Sequence, residues 1–299
     1  MTTTNLPEII VSSARDWTDY ELIDSGDGLK LERFGKYSFI RPEAQAVWEK
    51  GLKSEAWNKA DAVFQTTMEE NGGHWIFKQT IPENWVMRYR ELKFKAQTSA
   101  SRHLGVFPEQ AVHWDWMSNA ISKSQHPLKI LNLFGYTGLA TLAAAKAGAQ
   151  VTHIDASKKA IAWARENQSL SNLTGSPVRW IVDDALKFVE REIRRGSLYD
   201  GIILDPPKFG RGPKGEVWEF FKMLPDLLTA CKKALHPKGQ FLIVTAYAVK
   251  SSALTLHGAL NDLTILRGGN LEVGELVTEE KSAGRLVSNA IYARWSKVQ

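Results

Sequence analysis

Thiols are almost absent from this chain: Cys231 is the single cysteine among 299 residues. No intrachain disulfide can form, and any zinc site built on several thiolates is excluded. Long apolar runs are also missing. None approaches the ~20 residues that cross a bilayer, so no membrane association is expected. The first ten residues, "MTTTNLPEII", have neither the basic nor the apolar region of a signal peptide. A cytoplasmic setting is the simplest reading. The histidines His74, His103, His113 and His126 show no ligand spacing, so no metal is expected. Large excess charge is missing too, with a net charge of +5. Its distribution is uneven. Residues 1–125 carry 15 Lys+Arg against 17 Asp+Glu, whereas the remainder carries 23 against 16. A basic excess in the later part suits a polyanionic substrate such as RNA. A simple solubility bias explains it equally well.

The length and a 43% apolar composition suit one or two globular domains. Seven of eleven tryptophans precede residue 126. Residues 20–48 read as short strands around a "DSGDG" turn. Helical spacing follows around Trp48–Trp57. Residues 61–80 read as two strands joined at Asn71-Gly72-Gly73. Residues 85–99, "WVMRYRELKFKAQTS", alternate apolar with basic residues, as one strand with a wet face does. From Pro127 the rhythm changes. Apolar runs such as "LKILNLF", "AQVTHID", "VRWIVDD", "YDGIILD" and "GQFLIVTAY" alternate with helical segments. That order predicts a mainly parallel sheet covered by helices on both faces. "LEVGELVTEEK" and "RLVSNAIYARW" are predicted to pair as an antiparallel edge hairpin. The expected fold is thus α/β: a Rossmann-like, doubly wound sheet with an antiparallel C-terminal hairpin, behind a small N-terminal β-rich domain. The expected domains are 1–100 and 101–299.

In such sheets ligands bind beyond the carboxyl ends of the strands, where strand order reverses. Four strand ends carry suitable chemistry. The first is "NLFGYTG", where Gly135 and Gly138 make the turn into a helix, flanked by Asn132, Phe134, Tyr136 and Thr137. The second is "HIDAS", with Asp155 placed to accept from ribose hydroxyls and Ala156 and Ser157 beside it. The third is "VDDAL", with Asp183, Asp184 and Ala185. Here Asp184 is the candidate acceptor for an adenine amino group. The dinucleotide pattern G-x-G-x-x-G is absent, which argues against a pyrophosphate ligand. S-adenosylmethionine carries no phosphate and tolerates a looser glycine turn. The fourth end is "DPPKF", Asp205–Phe209. Pro206 and Pro207 remove two N–H donors, leaving the Asp205 carboxylate and carbonyl groups as acceptors beside a transferable methyl. Phe209 is placed to stack on a flat base.

The combination "ILNLFGYTG…HIDAS…VDDAL…DPPKF" resembles the catalytic domain of the bacterial 23S ribosomal RNA methyltransferases of the cytosine-5 and guanine-N7 type. The resemblance spans roughly residues 90–299. It implies that "GVFPEQ" matches the F-x-D-Q segment of that group, with Phe107 and Gln110 helping to cover the cofactor. It implies RNA as substrate and S-adenosylmethionine as methyl donor. One departure bears on chemistry. The cytosine-5 members carry a nucleophilic cysteine after the fifth strand, because carbon 5 is too weak a nucleophile unaided. Here that segment is "VTAYAVKSS", and Cys231 lies in a helical pattern that predicts a packing role. Direct transfer to a base nitrogen or oxygen is therefore expected. The alternative is a methyltransferase for a small molecule or protein, with the aromatic-rich front domain as a lid. Lys208, Arg211 and Lys214 follow the last strand end in a Gly/Pro-rich loop, and Arg88, Arg90, Lys93, Lys95 and Arg102 lie upstream. Both sets are candidate phosphate contacts. "SAGR", Ser282–Arg285, reads as a turn in which Arg285 is a possible substrate contact.

Overall fold

A computed structural model describes residues 6–15, 17–67 and 72–297. The chain forms two compact units. The first strand, β1 (Ile9–Ser13), joins the larger unit, which also takes in Val112–Leu276 and the chain from Asn289 onward. The smaller unit comprises Ser13–Ala111 and Val277–Ser288.

The smaller unit contains β2 (Tyr20–Gly26), β3 (Leu29–Phe34), β4 (Tyr37–Pro42), α1 (Ser54–Asn58), β5 (Ala62–Thr66), β6 (Gly73–Phe77), β7 (Asn84–Tyr89) and β8 (Leu92–Gln97). The sheet order is β2-β3-β4-β5-β6, with β7-β8 as a separate ribbon. The "DSGDG" turn is present, with Asp27 and Gly28 both at positive φ. Such a pair suits the right-handed twist of a hairpin. The β5–β6 pair is also as expected: the Thr67 N–H donates to the Gly72 carbonyl. Asn71 lies outside the described residues. The single strand expected over 85–99 is instead the hairpin β7–β8, turning at Arg90 with φ of 48°. The alternation holds on both arms, with Trp85, Met87, Tyr89, Leu92, Phe94 and Ala96 buried. The turn has no Gly or Asn to announce it. Trp17, Trp57 and Trp85 are buried in this unit. Phe39 stacks on Trp85 at 5.6 Å, and Trp17 meets Tyr89 at 4.6 Å.

The larger unit continues with α2 (Ala111–Ser122), β9 (Lys129–Leu133), α3 (Leu139–Lys146), β10 (Gln150–Asp155), α4 (Lys158–Leu170) and β11 (Val178–Val182). Then come α5 (Ala185–Arg194), β12 (Gly201–Leu204), β13 (Phe209–Arg211), β14 (Val217–Glu219), α6 (Phe220–Ala234), β15 (Phe241–Tyr247), α7 (Ala253–Arg267), β16 (Asn270–Glu279) and β17 (Leu286–Ser296). The eight-stranded sheet runs β1-β16-β17-β15-β12-β9-β10-β11. Strands β11, β10, β9, β12 and β15 are parallel, and β17 runs antiparallel to β15. The doubly wound sheet and the C-terminal pair are as predicted. That pair is not the edge, however, because β1 lies outside β16.

Alternation in the buried strands divides the core by face. Leu131, Leu133, Ile202, Leu204, Leu242 and Val244 pack with Phe188 of α5, Leu224 and Leu227 of α6, and Leu256 and Leu260 of α7. Full burial of each such side chain contributes about 1.5–3 kcal/mol. Cys231 sits fully buried in this cluster, and burial pushes its thiol up to about 12. The packing role predicted for it is thereby met. Strand β1 and helices α2 and α7 had no sequence counterpart in the expectation. Within the anticipated loop at 208–216, residues 209–211 form β13, which pairs with β14 just beyond it. Among the described residues no helix is long and apolar enough to cross a membrane.

Candidate active site

From β9 the chain moves outward through β10 and β11, then returns to start β12 on the other side of β9. This is the point where strand order reverses. Leu133 pairs with both Ile154 and Leu204. Phe134, Asp155 and Asp205 therefore leave the sheet at one level. Asp155 pairs with Val182, which places Asp183 at the next strand end.

The glycine turn is strained in a specific way. Phe134 and Tyr136 adopt φ of 56° and 50°, and Gly138 adopts 86°. Bulky residues in the left-handed region cost of order 1–3 kcal/mol each and persist only where surroundings over-determine them. The surroundings here are visible. The Gly135 N–H donates to the Ile154 carbonyl at 3.0 Å, and the Tyr136 N–H donates to Asp155 Oδ2 at 2.8 Å. Thr137 is buried, and its carbonyl accepts from Asn167 Nδ2 at 2.9 Å. Beneath the turn lies His153, with no exposed surface. A Cβ on Gly135 would meet the His153 ring at 2.5 Å from Nδ1 and 2.9 Å from Nε2. That ring is fixed by Thr141 Oγ1 at 2.9 Å, which also accepts from Asn132 Nδ2 at 2.9 Å. Burial lowers the His153 pKa to about 3, so the imidazole is neutral. Asn132 is thus a buried support of the turn. His153, Thr141 and Asn167 were missed in the sequence. The one signal was a histidine inside an apolar strand run opposite a glycine.

Asp155 accepts a second backbone bond, from Ser157 N at 2.8 Å. Burial raises its carboxyl above the usual value, while these two N–H groups pull it back. Each oxygen keeps a lone pair for a further donor. Ala156 follows, half-buried, and Ser157 caps α4 by accepting from Ala160 N at 3.2 Å. At the third strand end, Asp184 caps α5: its Oδ1 accepts from Lys187 N at 2.9 Å. Only Oδ2 is then outside the cap. Asp183 accepts from Asp184 N at 2.9 Å and pairs with Arg191. Ala185 is buried as the first residue of α5.

At the fourth strand end Asp205 is half-buried, Pro206 buried and Pro207 exposed. The Pro207 carbonyl accepts from Trp218 Nε1 at 2.6 Å. Phe209 is 55% exposed on β13, opposite Glu219. Lys208, Arg211 and Lys214 are exposed around it. Gly135, Gly138, Asp155, Asp183, Asp184, Asp205 and Phe209 all belong to the larger unit. Phe107 and Gln110 belong to the smaller one, at the 3₁₀ turn Pro108–Gln110, where Gln110 N donates to the Phe107 carbonyl. So do Arg88, Arg90, Lys93, Lys95 and Arg102. Arg285 is engaged inside the smaller unit. It donates to Glu280 at 2.8 Å, to the Glu49 carbonyl at 2.7 Å and to the Ser25 carbonyl at 3.1 Å.

The donor set has a clear electrostatic character. Four carboxylates end β10, β11 and β12, which flank or follow β9 in the sheet, and the nearby cations Arg191 and Lys187 are already paired, with Asp183 and Glu216. The turn offers acceptors rather than a cradle of N–H groups. That suits hydroxyls, an amino group and a positive sulfonium, and repels a polyphosphate. Among the described residues no group of three His, Cys, Asp or Glu could hold a metal.

Comparisons with known proteins fit this geometry. A family described as S-adenosylmethionine-dependent methyltransferase matches residues 40–252. A solved S-adenosylmethionine-dependent methyltransferase from Agrobacterium tumefaciens is 47% identical, with a TM-score of 0.92 over 97% of this chain and 94% of that one. The ribosomal RNA large subunit methyltransferase K/L of Shewanella sp. (strain MR-4) is 30% identical over 155 residues, 50% of this chain and 21% of that protein. The ribosomal RNA large subunit methyltransferase I of Aeromonas salmonicida (strain A449) is 29% identical over 161 residues, 54% of this chain and 40% of that protein. The matched region thus spans well under half the length of these two curated relatives.

Proposed function

The chain belongs to the S-adenosylmethionine-dependent methyltransferases, and on that premise we propose that it methylates a base nitrogen or oxygen of ribosomal RNA by direct in-line transfer. Bound S-adenosylmethionine supplies an electrophilic methyl on a cationic sulfonium. The residues assigned to hold it are Asn132, Phe134, Gly135, Tyr136, Thr137 and Gly138 at the turn, with Asp155, Ala156 and Ser157 at the ribose. Asp183, Asp184 and Ala185 serve the adenine. The observation that carries the acceptor half is the Asp205 strand end. There Pro206 and Pro207 leave acceptors and no donors, beside an exposed Phe209 and three exposed basic side chains. Asp205 accepts from an amino or ring N–H and fixes its lone pair in line. Phe209 stacks on the base, and Lys208, Arg211 and Lys214 meet flanking phosphates. Alignment and exclusion of water supply the rate; the methyl leaves the sulfonium as neutral S-adenosylhomocysteine departs, and the proton of the methylated N–H passes to Asp205 or to water. Carbon-5 chemistry is disfavoured because Cys231 is enclosed in the core with its thiol pushed up to about 12. A ribosomal RNA substrate fits a cytoplasmic protein.

The test is transfer of labelled methyl to total RNA from a strain lacking the gene, followed by nucleoside identification. The expected product is an N- or O-methylated nucleoside in ribosomal RNA, formed more slowly as salt rises. Label at carbon 5 of a pyrimidine, or transfer only to protein or small molecules, defeats the proposal.

A further inference from the structure

We propose that Trp218 is a positioning residue that sets the acceptor loop Asp205–Lys208 in register with the glycine turn of the methyl-donor site. This rests on the reading of Asp205–Phe209 as the acceptor-binding loop. The two halves of the reaction lie on different strand ends, and in-line transfer tolerates little error between them. Pro206 and Pro207 have no N–H, so the loop cannot be tied down by its own donors there. The bond comes from outside. The Trp218 indole N–H donates to the Pro207 carbonyl at 2.6 Å. The same ring lies 5.0 Å from the Phe134 ring at 57°, where the glycine turn begins. One side chain, 4% exposed, therefore touches both loops.

The placement of Trp218 is itself determined. It sits on the inward face of β14, opposite Gly210, where a side chain would crowd Pro207 Cγ at 3.3 Å. The Phe220 N–H donates to the Lys208 carbonyl at 3.1 Å, closing the ribbon on the loop. At the far end Glu216 accepts from Lys187 of α5 at 2.8 Å. The outward face, Phe209 and Arg211 opposite Glu219 and Val217, is left to the substrate.

Trp218→Phe keeps a ring against Phe134 and removes the N–H. The expected result is kcat on the RNA substrate lower by about ten- to a hundredfold, with affinity for S-adenosylhomocysteine within twofold. Amide exchange over residues 208–211 should quicken while that over 133–140 does not. Phe134→Leu is the complementary variant. It should weaken S-adenosylhomocysteine binding and leave exchange over 208–211 unchanged. An unchanged kcat and unchanged exchange in Trp218→Phe overturn the proposal. So does a parallel fall of kcat, cofactor affinity and melting temperature, which marks a merely structural role. The exchange and cofactor measurements need no acceptor. If the wild type transfers nothing to RNA, the functional reading fails, and exchange still decides whether Trp218 ties the loop.

Discussion

The substitution Gly135→Ala isolates one steric relation at the proposed methyl-donor site. Gly135 is not among the residues with positive φ, so alanine brings no backbone penalty of that kind. What it brings is a methyl 2.5 Å from His153 Nδ1, about 1 Å inside an ordinary contact. The ring cannot retreat cheaply, because it is fully buried and held by Thr141 at 2.9 Å. Overpacking of this kind costs about 1–3 kcal/mol. If the imidazole swings, the lost Thr141 bond adds roughly 1 kcal/mol. If the turn lifts instead, the Tyr136 N–H leaves Asp155. We expect a loss of about 2–4 kcal/mol in urea unfolding. Weakening of S-adenosylhomocysteine binding, measured by calorimetry, should be about tenfold for each 1.4 kcal/mol. His153→Ala alone should cost about 2–4 kcal/mol as a cavity. Combined with Gly135→Ala, it should cost at least ~1 kcal/mol less than the two separately. Additive costs, or a Gly135→Ala protein that binds cofactor normally, refute the reasoning.

Further outcomes are expected at the cofactor, acceptor and Arg285 positions. Asp155→Asn should weaken S-adenosylhomocysteine binding by about tenfold or more, since a charged acceptor becomes a mixed donor and acceptor. In the wild type, the raised Asp155 value means that cofactor affinity falls on acidification sooner than for an ordinary carboxylate, which calorimetry across pH reads directly. Phe209→Ala should raise KM for RNA with cofactor binding unchanged, whereas Lys208→Ala and Arg211→Ala should each flatten the salt dependence. Arg285→Met should destabilise by about 3–5 kcal/mol, because it strips the buried Glu280 and Asp24 of a shared cation. Burial pushes the Asp24 carboxyl upward, but hydrogen bonds from Ser282, Leu52, Trp57 and Gly51 hold it below its usual value. A depressed folded value stabilises the fold above the unfolded value and is lost as pH falls through the folded one. Thermal melts should therefore show stability falling below the ordinary aspartate value of 3.8.

Much of the site was legible because its residues end strands whose apolar runs are continuous. Gly135, Asp155 and Asp205 follow buried parallel strands and Asp184 follows the partly exposed edge strand β11, so local pattern fixed their level. What escaped was non-local. His153 reads as one more strand residue until Gly135 is folded over it. Trp218 lies eleven residues beyond Pro207, just past the stretch 208–216 that read as a loop, and only the ribbon brings its N–H back. Asp184 was read as an adenine acceptor, yet one of its oxygens caps α5. A cap and a ligand use the same chemistry, and sequence does not apportion the two oxygens. The hairpin at Arg90 escaped because a residue other than glycine or asparagine holds the positive φ.

By itself the sequence determined the parallel sheet, the order of its strand ends and the acidic residues at each. It also determined the family and its cofactor, because these depend on short-range periodicity and on residues a few positions apart. Tertiary structure alone decided three things: that β1 closes the sheet beyond β16, that residues 277–288 join the smaller unit, and that Arg285 is bound within it rather than offered to substrate. Each depends on contacts between segments more than 200 residues apart, whose entropy of closure is offset only by the whole packed assembly. No local pattern along the chain records such a contact.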